Sequence, residues 1–126
     1  MISKILISAI IFISLDIIYL FSFKTLFEKQ IEKIQGVPLS LNLIPTILCY
    51  LFLTGGLYYF ILRENKSWKE AAILGFIIYG VYDTTTLALL KNWSWKLAVM
   101  DVIWGTILFS LTTALTYIII DKVKNY

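Results

Sequence analysis

Histidine is absent from the 126-residue chain, and cysteine occurs once, at Cys49. The first absence removes the side chain that titrates near neutrality and the commonest metal ligand. The second rules out a disulfide within the chain. Charged residues make up only 15% of the sequence, against 60% hydrophobic residues. A soluble domain of this size buries too little of its surface to hide that many apolar side chains. There is no serine–histidine arrangement and no phosphate-binding loop, so neither a metal nor another cofactor is expected. The formal charge of +3 does not require nucleic acid. The lysines stand at the ends of apolar runs, where snorkelling towards lipid headgroups accounts for them.

What is present is a chain cut into four long apolar runs. Charges gather around 24–33, 63–70, 91–96 and 121–124, and each run between them is long enough to cross a bilayer. The spacing predicts spans over about 5–23, 39–62, 71–90 and 97–120 in a single membrane domain, residues 1–126. The first run is too long for a signal-peptide core, contains Asp16 and lacks a small-x-small cleavage site, so it is expected to remain as a span. In 24-KTLFEKQIEKIQGVPLS-40, Phe27, Ile31 and Ile34 recur at helical spacing among charges. This predicts an amphipathic extension over 24–35, resting on headgroups and stopped by Gly36 and Pro38. Pro45 falls in the first turns of the second span, where a missing donor costs little. Gly55-Gly56 is expected to permit close helix contact or a mild kink. Short connections make sequential helices antiparallel neighbours. The expected fold is therefore all-α, a four-helix up-and-down bundle in the membrane with both termini on one side. Six cationic residues lie on that side and five on the other, a small excess that leans towards cytoplasmic termini.

Three of the eight acidic residues fall inside the spans: Asp16, Asp83 and Asp101. An acid at a helix centre costs about 2.5–3.5 kcal/mol on insertion scales, and an apolar neighbour returns only a few tenths. Asp16 precedes Lys24 by eight residues and Asp83 precedes Lys91 by eight, about 12 Å at the helical rise. Asp101 follows Lys96 by five, about 7.5 Å. All three are measured from the face opposite the termini, so the acids share one leaflet's half. On the third span Tyr79, Asp83 and Thr86 share a stripe edged by Tyr82 and Thr85. On the fourth, Trp104 stands beside the stripe of Asp101, Gly105, Leu108 and Thr112. Tyr19 accompanies Asp16, and Thr46 and Tyr50 reach similar depths on the second span. The expectation is a polar pocket or half-channel. No lysine or arginine lies in the spans, so the acids must stay protonated, share protons or hold a cation, unless they only lock helix register through hydrogen bonds. Asp, Leu and Lys also recur at matching offsets in 16-DIIYLFSFK-24 and 83-DTTTLALLK-91, three matches that are thin support for a parallel repeat.

The segments 15-LDIIYL-20, 82-YDTTTLA-88 and 101-DVIWGTIL-108, with Trp93 and more loosely Tyr50 and Gly55-Gly56, resemble DUF2177, a family of small membrane proteins. The resemblance implies four membrane helices and importance for Asp16, Asp83, Asp101 and Trp104, and it supplies no activity. The chain departs from the family's usual asparagine at Thr86 and its frequent tryptophan at Tyr19.

Three functions compete. A small transporter or channel would use the acids to carry protons or cations. Small multidrug transporters offer an analogy only, with four short helices, an acid in the first and dimeric assembly. Four helices enclose little volume, so a substrate path would need a second copy. A lipid-binding or assembly protein would use the same acids structurally, around a small amphipathic ligand. An intramembrane enzyme is disfavoured. Tyr82-Asp83 matches half of an intramembrane aspartyl protease signature, but Asp101 follows 97-LAVM-100 rather than a glycine-rich approach.

Overall fold

The computed structural model describes residues 2–35 and 42–124. These form helices and turns with no strand. Helix α1 runs Ile2–Ser22, α2 Lys24–Gln35, α3 Leu43–Leu57, α4 Trp68–Leu89 and α5 Trp95–Lys124. All but α2 are long and apolar enough to cross a membrane, counting α3 with the π turn that prolongs it through Leu62. The molecule is an all-α membrane protein. The expected stop at Gly36 and Pro38, and the start of the second span at 39, lie outside the described residues.

The breaks between helices follow local chemistry. After α3, Asn65 takes a positive φ of 54°, and between α4 and α5 Asn92 takes 69°. Asparagine tolerates this region far better than a branched residue would. Ser67 and Ser94 cap the helices that follow, accepting from the backbone N–H groups of Glu70 and Leu97 (both 3.3 Å). On the side of the termini, Lys4 Nζ donates to the Leu62 carbonyl (3.1 Å) and Asn65 Oδ1 (2.6 Å). There too, the Tyr117 hydroxyl donates to the Lys66 carbonyl (2.6 Å).

In lipid there is no water to expel from between helices, so they associate through close packing. The tightest seam joins α4 to α5, where Gly75 and Gly105 bring the two backbones together. A Cβ on Gly75 would stand 2.8 Å from Phe109 Cβ, and one on Gly105 would run into the Tyr79 ring. Gly55 and Gly56 do not serve this purpose, because nothing lies within 4 Å of a Cβ at either position. They instead precede the π turn, Tyr58–Leu62, whose wider winding accompanies the burial of Ile61 and Leu62. Phe12 meets Phe109 edge-on with ring centroids 5.4 Å apart. With Leu57, Ile61, Leu62, Ala71 and Leu108 they form the apolar core, in the half of the bundle nearer the termini.

Helix α1 packs against both α5 and α3, and α4 packs on α5. Although a short loop joins α3 to α4, these two make little direct contact. The bundle is thus a ring, α3–α1–α5–α4, open along one seam. The outward side chains, such as Phe21 and Phe52 (73% and 77% exposed), would be an aggregation hazard in water and are the lipid-facing surface in a bilayer.

Candidate functional site

The open seam leads into a cavity of about 590 Å³, within the range of small-molecule sites. Its wall takes Asp16 and Tyr19 from α1, Thr46, Cys49 and Tyr50 from α3, Tyr79 and Tyr82 from α4, and Asp101 from α5. Helical spacing explains each contribution. Thr46, Cys49, Tyr50 and Leu53 follow the i, i+3, i+4, i+7 pattern and so share one face of α3. Asp16 and Tyr19, one turn apart on α1, are both buried.

Asp16 accepts two hydrogen bonds from distant helices. The Tyr50 hydroxyl donates to Oδ2, and Trp104 Nε1 donates to Oδ1 (3.0 Å). The Trp104 indole is fixed in turn by stacking on the Tyr19 ring, with centroids 4.7 Å apart and planes 10° from parallel. The Tyr19 hydroxyl lies within reach of the Asp101 carboxyl, but it makes no hydrogen bond of good geometry. The Asp83 carboxyl neighbours that of Asp101. Two such neighbours attract only when one carries a proton. Asp83 is 2% exposed, and no donor among the described residues reaches its Oδ2.

Asp16 and Asp101 therefore face the cavity, and Asp83 stands behind Asp101. Among the described residues, no three Asp, Glu, Cys or His side chains come together as metal ligands. Tyr79 is held over Gly105 and edge-on to Phe109 (6.2 Å). Tyr82, 62% exposed, sits at the rim. The threonines expected to accompany Asp83 are placed otherwise. The Thr86 hydroxyl donates to the Tyr82 carbonyl of its own helix (2.9 Å), the usual recourse of a threonine inside a helix. Thr85 and Thr86 line an adjoining hollow along α4, which shares Ile78 and Tyr82 with the cavity but reaches none of the three acids.

Sequence reasoning passed over Cys49, although its spacing from Thr46 and Tyr50 carried the signal. Thr112, on the stripe already read from the fourth span, is buried together with Thr113 and Thr116, which spacing did not single out. Two of these satisfy their hydroxyls on the carbonyl one turn back, at 2.8 and 2.7 Å.

Among the described residues no lysine or arginine stands in the cavity wall; its side-chain donors are four phenols, the Thr46 hydroxyl and the Cys49 thiol. The chemistry available is proton exchange and the holding of a cation against carboxylates and aromatic faces. Comparison with curated proteins and with solved structures returned no match. The family described as a predicted membrane protein, DUF2177, matches residues 1–118. The chain belongs to that family.

Proposed function

We propose that the cavity binds a cationic amphipathic ligand in exchange for a proton, as the substrate site of a small proton-coupled transporter. The observation that carries this reading is one juxtaposition. A cavity of ligand size, lined by two acids and four tyrosines, lies at the seam where α3 and α4 barely touch. An amphipath partitioned in lipid would reach such a site sideways, its apolar part against Leu53 and Ile78 and its cation towards Asp101. With no basic residue in the wall, the ligand's own charge is the natural complement to an ionised acid. A proton held by Asp101, next to Asp83, is the one displaced. The cavity occupies one half of the bundle, so passage across the bilayer would be completed by a second copy.

The test is uptake of tetraphenylphosphonium by proteoliposomes under an imposed pH gradient. Uptake by the wild-type protein and its loss in Asp101→Asn and Asp16→Asn are expected. Equal uptake in the Asp16→Asn, Asp83→Asn and Asp101→Asn variants would rule the reading out.

The sealing of Asp16 by Tyr50 and Trp104 favours a second reading, a membrane-embedded lipid-binding or assembly protein whose acids are structural. It predicts a neutral lipid retained through purification, and no pH-driven uptake.

A further inference from the structure

A second concavity lies at the membrane surface, where α2 crosses the beginning of α5. It encloses about 230 Å³ and is bordered by Lys29 and Lys33 of α2 and Lys96 of α5. Lys29 and Lys33 are one turn apart, on the face of α2 that also carries Leu26 and Gln30. Gln30 Nε2 donates to the Asn92 carbonyl (2.8 Å), which holds that face against the α4–α5 turn. Glu28 lies on the opposite face and pairs with Lys24 (3.8 Å). Glu32 is not in the lining, and no acid is. Among the described residues, none of the three lysines has a carboxylate within 4.0 Å.

Lysines that merely snorkel diverge into the headgroup layer. Here three cations from two helices border one hollow, at the cost of mutual repulsion. The start of α5 adds the partial positive charge of a helix N-terminus. The lower wall is apolar, formed by Leu26 and Leu97, and α5 enters its apolar run directly afterwards. We infer that this groove binds the phosphate of an anionic phospholipid headgroup, with the acyl chains descending past Leu26 and Leu97. The inference is independent of the carboxylate cavity and of any transport through it.

The experiment is native mass spectrometry of the full chain, released from detergent after titration with phosphatidylglycerol, phosphatidylcholine or inorganic phosphate. Phosphatidylglycerol is expected to bind at least about tenfold more tightly than phosphatidylcholine, given roughly 1 kcal/mol for each basic residue near an anionic surface. The triple variant Lys29→Gln, Lys33→Gln, Lys96→Gln should lose that preference. A control, Lys66→Gln, Lys69→Gln, Lys122→Gln, should keep it. All six side chains are exposed, and thermal unfolding in detergent checks that both variants fold. The inference is overturned if the first variant keeps the preference or if both lose it equally. Inorganic phosphate occupying the groove as tightly as the lipid would also overturn it, marking a free-anion site.

Discussion

At the scale of single residues, the site depends on aromatic side chains held in place by close neighbours, in one case a glycine. Gly105 lies under the Tyr79 ring, so Gly105→Ala forces that ring outward into the cavity. Overpacking of this kind costs about 1–3 kcal/mol, to be read as a lowered unfolding temperature in detergent. Gly80 has nothing within 4 Å of a Cβ. Gly80→Ala, on α4 next to Tyr79, should be neutral or stabilising by up to about 1 kcal/mol. Equal destabilisation by both changes would refute the packing argument. Trp104→Phe removes the only donor to Asp16 Oδ1 among the described hydrogen bonds while keeping an aromatic ring to stack on Tyr19. Side-chain hydrogen bonds between membrane helices are worth about 0.6 kcal/mol on average and up to about 1.7. A loss in that range is expected. Combined with Tyr50→Phe the loss should be non-additive, because both donors serve one carboxylate.

At the scale of the helices, α5 is the scaffold, packed on both α4 and α1, and α3 is the wall least packed against the others. Cys49 faces the cavity from α3 and is exposed, so its thiol should react with a small methanethiosulfonate reagent. Bound tetraphenylphosphonium should slow that reaction several-fold. Labelling that is unaffected by the ligand would place the ligand elsewhere. The helices themselves were legible in the sequence, because charge clusters bracket every long apolar run. The common depth of the acids was legible too, from their offsets to Lys24, Lys91 and Lys96. Rotation about each helix axis was not legible. Spacing cannot say that Asp83 turns behind Asp101 while Thr86 bonds its own backbone, since partners across helices fix those choices. The glycine pair 55–56 drew attention by adjacency, yet the close approach belongs to Gly75 and Gly105, isolated in sequence and facing each other only after α4 packs on α5. The lysine groove was hidden for the same reason. Lys96 lies more than sixty positions from Lys29 and Lys33 and meets them only through the docking of α2.

At the scale of the whole molecule, the fold divides its labour along the membrane normal. An apolar core near the termini ties the helices together, and the opposite half keeps an open seam with acids behind it. If this half trades a proton for a cation, as proposed, the exchange can be read directly as a proton count. Purified protein in weakly buffered detergent solution is titrated with tetraphenylphosphonium while a pH dye reports protons and equilibrium dialysis reports bound ligand. About one proton released per cation bound, weaker binding as the pH falls, and no release from Asp101→Asn are expected. Cation binding with no proton release, or release undiminished in Asp101→Asn, would contradict the proposal.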